Sequence, residues 1–539
     1  MSRERTWADR LLAAKVVFSI CVLVGLVAIP VGYGVGWVSI ETVNMLGRYM
    51  TFAIIAVGLD LLWGYAGILS LCQATFFCLG GYAMGIYLAH HGGPEGITDR
   101  LGWKLPACLY VVYPYQVGEV PEDAMVPWFW KPFFNLPVTV FLAVLIPGLV
   151  AALIGVFCFR SRVRGVYFAI LTQAIAVAAF LFFQRNEVKF GGTNGLTRFD
   201  YVAGWHTVSE FGPKNLAPNS TFAGDASEWS MIGAQSSRFK EGVSYDGSTE
   251  GKIESGLNAP MISQTEYTGL INLASGEVAP NFCRILALND GGDVLQTVPL
   301  HAVPRRGRDM TEYRANFTLE SDATRVRYEV GFGEAQSFVL SSPRIFERYQ
   351  SNRGGWQLSD PRVQVVLYVL TLLSLILVYL GCRYLVQSRF GRVLLAIRDD
   401  EPTLRFFGYQ AWVYKLLAFV IAAMCAGWGG LLYAPQMKII TPYDMEPARS
   451  ILVVIWVAVG GRGTLAGAIV GALSINLLYD YLTSEHDYGI FVWKAEYWQF
   501  VLGALFIGVV LLFPKGMVNV GERLRGQILG GVQKTRGKE

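Results

Sequence analysis

Long apolar runs without charged residues occupy both ends of the chain and leave a polar segment between them. A helix needs about 20 apolar residues to cross a bilayer core of about 30 Å. Ten segments of the sequence approach that length, and we predict each of them to be a membrane-spanning helix. They are residues 16–40, 42–62, 61–90, 137–159, 165–184, 363–382, 416–437, 450–461, 463–479 and 497–514.

The composition supports this interpretation. Of the 539 residues, 53% are hydrophobic and 16% are charged, whereas a soluble domain carries about 25% charged residues. The net charge of +4 offers no electrostatic basis for binding nucleic acid. The sequence therefore predicts an α-helical polytopic membrane protein and argues against a soluble enzyme.

Basic residues in alternate connections predict the orientation, because cytoplasmic loops are enriched in Lys and Arg. Four such connections are residues 160–164, residues 383–415, Arg462 and the tail after the last span. We expect both termini to be cytoplasmic and the protein to lie in the bacterial inner membrane. The first apolar run exceeds the roughly 7–15 residues of a signal peptide, so we interpret it as an uncleaved helix.

Residues 201–361 interrupt the helical pattern with strands that alternate apolar and polar positions, which predicts an inserted, extracytoplasmic all-β sandwich. One apolar face carries Tyr313, Ala315, Phe317 and Leu319; another carries Val326, Tyr328, Val330 and Phe332, opposite Arg325, Arg327 and Glu329. The start of this segment, residues 215–222 with 228–230, resembles the opening of jelly-roll modules of the galactose-binding-like class over about 15 residues. We expect Trp229 in the core, so a spacer or docking role is favoured over sugar binding.

These patterns divide the chain into four parts. Residues 1–200 form an N-terminal membrane half, 201–361 the inserted domain, 362–520 a C-terminal membrane half, and 521–539 a basic cytoplasmic tail. The C-terminal half includes a cytoplasmic loop at residues 388–413. Cys108 and Cys283 alone lie away from the spans, so we predict no disulfides.

Motifs for catalysis are missing from the sequence. It contains no phosphate-binding Walker loop, no nucleophile elbow and no H-E-x-x-H, and its five histidines lack partners at metal-ligand spacing. We expect neither catalytic residues nor a bound metal or cofactor on this chain.

Several polar or glycine-containing positions fall inside the predicted spans. Gln73 either lines a translocation path or makes an interhelical hydrogen bond, and we favour a structural ion pair for Asp60 over a functional role. Glycine pairs mark either helix breaks near a substrate path or tight turns. The candidate path residues are Gln73, Thr193, Asn194 and Asp60. The helix-break glycines are Gly64, Gly67, Gly461 and Gly463.

The loop at 388–413 predicts a short helix across the cytoplasmic mouth. Asp399 or Asp400 can act as N-cap with Pro402 in the first turn, and Gly408 can end the helix. Its apolar end carries Leu404, Phe406 and Phe407. That end can dock into a partner's groove or pack on the protein's own membrane interface.

Five segments carry a family resemblance: LWGYAG at 62–67, GGTNGL at 191–196, APQMKIITP at 434–442, SILVVIWVAVGGRGTL at 450–465 and FPKG at 513–516. Together with the loop they resemble ABC importer permeases of the branched-chain amino acid and urea type, most closely the urea branch. The similarity covers about residues 40–200 and 362–520 of the 539, and the inserted domain is extra.

The resemblance implies a permease in the membrane lipid that pairs with a homologous second permease, two cytoplasmic ATPases and a periplasmic solute-binding protein. ATP and Mg would be used by the ATPases. The coupling loop that they grip would present Asp399, Asp400, Glu401, Arg405 and Gly408.

The resemblance further implies transport of urea or a short amide, with branched-chain amino acids as the nearest alternative. A membrane-anchored glycan-binding envelope protein would be a different class, but a single span would suffice to anchor it. A secondary transporter would need paired acidic residues inside the bundle, and Asp60 alone offers little support for that class.

Overall fold

A computed structural model shows the fold. It describes residues 24–91, 107–112, 127–161, 163, 165–197, 199–202, 216–217, 229–239, 242–257, 261, 266–275, 280–303, 311–333, 337–347, 356–483, 486–487, 492–493 and 503–504. The predicted span at 497–514, the tail at 521–539 and most of the jelly-roll-like opening of the insert lie outside these residues.

Eleven α-helices occur in the described part of the chain. They are α1 (Ile29–Val35), α2 (Ile40–Asp60), α3 (Gln73–His91), α4 (Ala107–Val112), α5 (Leu136–Arg160), α6 (Val166–Phe183), α7 (Pro361–Gln387), α8 (Arg389–Phe406), α9 (Ala411–Met437), α10 (Pro447–Gly460) and α11 (Leu465–Thr483).

Six of the described helices are long and apolar enough to cross a membrane: α2 with the π-helical turn that follows it (Ile40–Tyr65), α5, α6, α7, α9 and α11. The chain is thus a multi-pass helical membrane protein. The shorter α10 and the 19-residue α3 occupy two further predicted spans.

Two predicted spans need correction. The span predicted at 61–90 is not one helix, because Leu61–Tyr65 is a π-helical turn that continues α2, Gly67 to Cys72 is non-helical, and α3 begins at Gln73. The span predicted at 16–40 does not run on to residue 40 as one helix. Gly36 ends α1 in a left-handed conformation (φ 84°), and the Ser39 side chain then caps α2.

Helix α9 lies at the centre of the bundle, where it packs against α2, α3 and α5. The approach to α3 is close enough to require glycine, since a Cβ on Gly80 would overlap the backbone carbonyl of Gly427. Small residues that let helix backbones meet are typical of membrane bundles. Arg48, which lies inside the predicted span at 42–62, pairs with Asp480 of α11 at 3.4 Å.

In the described residues of the middle segment, nine β-strands form an antiparallel arrangement. They are β1 (Trp229–Phe239), β2 (Gly242–Ser255), β3 (Glu266–Ser275), β4 (Phe282–Leu288), β5 (Val294–Pro299), β6 (His301–Val303), β7 (Thr311–Thr318), β8 (Arg325–Phe332) and β9 (Ser337–Glu347). The strand order is β5-β4-β8-β2-β9-β3-β7-β6, and β1 pairs with β2.

The strands lie in two layers that share β2. The first half of β2 pairs with β9 and its second half pairs with β8. The layers face each other, because the Tyr328 hydroxyl on β8 shares its one proton between the carbonyl oxygens of Leu270 on β3 and Arg344 on β9, which lie 3.1 and 2.7 Å from the hydroxyl oxygen. Trp229 is buried and stacks on Tyr328 with ring centroids 6.3 Å apart, which confirms its predicted core position.

The predicted apolar faces of β7 and β8 are buried as expected. Glu329 differs from the prediction, because it was placed on the polar face and is 2% exposed. It accepts hydrogen bonds from Lys252 at 2.9 Å and from Arg284. Burial opposes ionisation of Glu329, but these hydrogen bonds outweigh that effect and hold its pKa below the ordinary value.

The chain enters and leaves the β region side by side. The N–H of Val202 donates to the carbonyl of Trp356 at 3.0 Å, and the N–H of Leu358 donates to the carbonyl of Asp200 at 2.7 Å. Asp360 then caps α7, which packs against α2 of the N-terminal half. The helices before and after the β region therefore belong to one bundle.

Candidate functional site

The π-helical turn after α2 meets the turn between α10 and α11. Asp60 is fully buried, and its Oδ1 accepts a hydrogen bond from the backbone N–H of Gly463 at 2.7 Å. Gly64 leaves no room between them, since a Cβ there would overlap Asp60 Oδ1 and the Gly463 backbone. This glycine is required by the close approach of two segments far apart in the sequence.

Two arginines bind the carbonyl groups of the same turn. Arg462 donates from Nε and Nη2 to the carbonyl oxygen of Trp63 at 3.1 and 3.0 Å, and its guanidinium lies 4.8 Å from the centre of the Trp63 ring. Arg398 of α8 donates from Nη1 to the carbonyl oxygen of Gly64 at 2.8 Å. We call the set Asp60, Trp63, Gly64, Arg398, Arg462 and Gly463 the arginine junction. It connects α8 to α2, α10 and α11.

Helix α8 is bent at Asp400, whose φ and ψ of −154° and 89° are non-helical. The Asp400 carboxylate accepts hydrogen bonds from the backbone N–H of Thr403, at 3.3 Å, and from its hydroxyl. This is the N-cap geometry that the sequence predicts, with Pro402 in the first turn of the second part. Gly408 follows with φ 82°, the conformation expected after a helix end.

The other predicted loop residues lie around this bend. Glu401 pairs with Arg405 at 2.6 Å and with Lys415 of α9 at 2.7 Å, so the loop is fixed to the bundle. Asp399 lies at the surface, beside Arg398 at 3.1 Å. The rings of Phe406 and Phe407 are 91% and 75% exposed. The structure thus leaves an apolar end of α8 uncovered within the described residues.

A small pocket of about 30 Å³ lies between α2, α3 and α10. Its lining combines aromatic and aliphatic side chains with one acid and one base, namely Phe52, Ile55, Ala74, Phe77, Asp444, Arg449, Val453 and Trp456. We call it the aromatic pocket. The ring centroid of Phe52 lies 6.0 Å from that of Phe77 and 5.2 Å from that of Trp456.

The two charged residues of the aromatic pocket are held differently. Asp444 lies in a 3₁₀ turn (Pro442–Met445), and its Oδ2 accepts hydrogen bonds from the N–H and hydroxyl of Thr441 at 3.1 and 3.2 Å. The Arg449 guanidinium makes no hydrogen bond or ion pair with any residue that the structure describes. An acid held in place therefore faces the same space as a base with free donors.

Of the predicted path residues, Gln73 lies beside the aromatic pocket. It is the first residue of α3 and fully buried, and neither amide atom has a hydrogen-bond partner among the described residues. The next residue, Ala74, lines the pocket and donates its N–H to the Ser450 hydroxyl at 3.1 Å. Asp60 lies in the arginine junction rather than in the pocket, where it is bonded to a backbone amide, and no arginine among the described residues lies at ion-pair distance from it.

Thr193 and Asn194 lie in a short exposed 3₁₀ turn. Leu196, just after them, exchanges backbone hydrogen bonds with Ile440 at 2.8 and 3.0 Å. This pairing holds the turn next to the segment that carries Asp444. Three of the predicted helix-break glycines adopt positive φ, namely Gly67, Gly461 and Gly463.

The sequence analysis did not identify Arg398, Asp444 or Arg449. The signal for the last two was present, because an acid and a base flank a proline-containing break before the short predicted span at 450–461. Arg398 carried no such signal, since its partner is a backbone carbonyl.

The family model described as "branched-chain amino acid transport system / permease component" matches residues 41–211 and 316–510, more than half of the chain. The chain belongs to this permease family. The gap in the match, residues 212–315, lies within the β region. Because the family comprises components of transport systems, the expectation that the chain is not an enzyme is confirmed.

Individual relatives of this family member are distant. The LivM high-affinity branched-chain amino acid permease protein of Salmonella typhimurium is 27% identical over 33% of this chain and 43% of LivM. The LsrC autoinducer 2 import permease protein of an Enterobacter species is 26% identical over 29% of this chain and 45% of LsrC. The chain thus spans less than half the length of these two relatives.

Among solved structures, TmCBM61 in complex with β-1,4-galactotriose is 12% identical to this chain. The match covers 25% of this chain and 99% of TmCBM61, with a TM-score of 0.19. A score this low transfers neither fold nor ligand.

Proposed function

We propose that this permease family member is the membrane subunit of an ATP-driven importer. It would pair with a homologous permease, two ATPases and a solute-binding protein. The observation that carries the proposal is the arginine junction, because it joins the bent helix α8 directly to α2 and α10, which line the aromatic pocket. If an ATPase partner moves α8, these contacts would transmit the displacement to the helices that line the aromatic pocket.

The proposed orientation places α8 in the cytoplasm and residues 201–361 in the periplasm. Its support is the distribution of basic residues, since Arg160, Arg398 and Arg462 all lie in connections at the end of the bundle that carries α8. By the same rule we propose that both termini are cytoplasmic, and the permease family supports an inner-membrane location.

The leading candidate for the solute is an amino acid with an apolar side chain. In this conformation the aromatic pocket, at about 30 Å³, has room for about one or two water molecules, so a solute requires the surrounding helices to separate. Arg449 can then bind a carboxylate, while Asp444 and the ring faces can bind an ammonium group. Ile55 and Val453 supply aliphatic surface for the side chain. An opposite-charge pair beside apolar walls suits a zwitterion better than uncharged urea. The LivM relatives support the same class.

Urea or a short amide is the second candidate. The observation that favours it is Gln73, whose buried carboxamide has donors and an acceptor without partners among the described residues. An uncharged amide solute could satisfy both, and a buried polar group that lacks partners costs about 1–3 kcal/mol.

Uptake measurements separate these candidates. Cells that lack this chain should lose uptake of labelled leucine and regain it from a plasmid that encodes the chain. If cells with the chain take up urea in the presence of excess leucine and cells without the chain do not, the amide solute is favoured instead. If neither solute's uptake depends on the chain, both solute assignments are wrong.

A further inference from the structure

A second cavity, of about 310 Å³, lies at the end of the bundle that carries α8. Its walls come from the last turn of α5, the end of α8 with the following loop, and the first turn of α9. They are formed by Phe159, Arg160, Arg405, Tyr409, Gln410, Ala411 and Trp412. We call it the Arg160 pocket. It shares no lining residue with the aromatic pocket.

The Arg160 pocket is positively charged. Arg160 ends α5 and makes no ion pair with any residue in the described part of the chain. Arg405 pairs with Glu401, but Glu401 also pairs with Lys415, so two bases share one acid and leave one positive charge. With Arg160 the local net charge is +2. Two guanidinium groups facing one cavity can bind the oxygens of a phosphate in bidentate fashion.

An apolar surface leads directly to the Arg160 pocket. On α5, Leu149, Leu153 and Phe157 are 59%, 63% and 68% exposed and lie four residues apart, so they share one face of the helix. Arg160, three residues further on, continues that face. The apolar face of α5 suits the acyl chain of a phospholipid, and the basic cavity at its end suits the phosphate group.

We propose that the Arg160 pocket binds an anionic phospholipid of the cytoplasmic leaflet. The phosphodiester group lies between Arg160 and Arg405, and an acyl chain runs along Leu149, Leu153 and Phe157. Basic pockets between membrane helices on the cytoplasmic side bind anionic headgroups. Trp412 and Tyr409 add the aromatic side chains that favour headgroup depth. The leaflet rests on the proposed orientation, whereas lipid binding itself does not require transport.

Native mass spectrometry of the full chain in detergent tests the proposal. The chain is titrated with phosphatidylglycerol and, separately, with phosphatidylcholine of the same acyl chains. We expect preferential retention of phosphatidylglycerol. The R160Q and R405Q variants should each bind it about five-fold more weakly, as expected for the loss of one basic contact. R392Q, an exposed arginine of α8 outside the cavity, is the matched control and should bind normally.

Two further measurements separate a lipid from free phosphate. F157A removes an exposed ring of the apolar face and should weaken phosphatidylglycerol retention without changing charge, while excess inorganic phosphate should not displace the lipid. The proposal is overturned if the chain retains both lipids equally, or if R160Q and R405Q bind phosphatidylglycerol normally. It is also overturned if inorganic phosphate displaces the lipid and F157A binds it as well as the unmodified chain does. Normal lipid binding by R160Q and R405Q with weakened ATPase association would make the cavity a protein contact instead.

Discussion

Asp60 accepts a hydrogen bond from the backbone N–H of Gly463, 403 positions further along the chain. The contact fixes the end of α2 against the turn between α10 and α11. The other carboxylate oxygen, Oδ2, is buried and has no hydrogen-bond partner among the described residues. The carboxylate serves here as a backbone acceptor that holds two helix ends together.

Substitutions at Asp60 should separate its role as acceptor from its charge. Asp60→Ala leaves the partly buried Gly463 amide without its acceptor, which costs up to about 1–3 kcal/mol of stability. Asp60→Asn keeps an acceptor oxygen and should cost clearly less. The thermal unfolding midpoint of the purified chain in nanodiscs checks this order. If both variants lower the unfolding midpoint equally, the site requires the negative charge of Asp60 and not only its ability to accept a hydrogen bond.

Gly64→Ala should destabilise the junction strongly. The added Cβ would overlap Asp60 Oδ1 and the Gly463 backbone, and both are held by tertiary packing. We expect a loss of about 1–3 kcal/mol, typical of overpacking in a closed site, and a matching fall in the unfolding midpoint. Gly381→Ala in α7 is the matched control, because no heavy atom lies within 4 Å of its added Cβ. A normal midpoint for Gly64→Ala would contradict the described contact.

Removing the free base of the aromatic pocket should weaken solute binding. Arg449→Gln loses a charge-assisted contact to the solute carboxylate, worth about 1.5–3 kcal/mol, so KM for leucine uptake should rise at least about ten-fold. Glu446→Gln, on an exposed acid nearby that lies outside the pocket, is a control for altered charge. A normal KM in Arg449→Gln would exclude Arg449 from the leucine site.

The β region should lose stability in acid through Glu329. Its folded pKa lies below its ordinary value of 4.5, so it stabilises the fold above that pH and loses this contribution as pH falls through the folded pKa. Hydrogen exchange of β8 in the full chain, corrected for intrinsic rates, should be constant at neutral pH and rise as the pH falls below the ordinary pKa of 4.5. Glu329→Gln should remove that pH dependence. Glu320→Gln, on an exposed acid, should keep it.

Local features of this fold could be predicted from the sequence because their partners lie a few residues apart. The Asp400 cap on Thr403 and the alternation along β8 depend on spacings of two and three residues. The position of the break before α3 could be predicted, but the number of non-helical residues in it could not. Glycines mark where a helix stops, whereas the start of α3 at Gln73 depends on tertiary contacts such as the one between Ala74 and Ser450.

Contacts between distant segments could not be predicted. Arg398 and Asp60 bond to backbone groups of Gly64 and Gly463, and a backbone partner leaves no trace in residue identity. The aromatic pocket combines four separate segments, so its charged pair was not recognised. Glu329 was assigned to a polar face by alternation, but the bases that neutralise it lie on other strands.

The most direct test of coupling uses Arg398, the link between α8 and the turn after α2. In proteoliposomes that contain the chain with its ATPase and permease partners, we would measure solute taken up per ATP hydrolysed. Arg389→Gln, on an exposed arginine that starts α8, is the matched control. Arg398→Gln should retain ATP hydrolysis but lower the ratio several-fold, because the contact with Gly64 is lost. An unchanged ratio at normal hydrolysis would contradict transmission through the arginine junction.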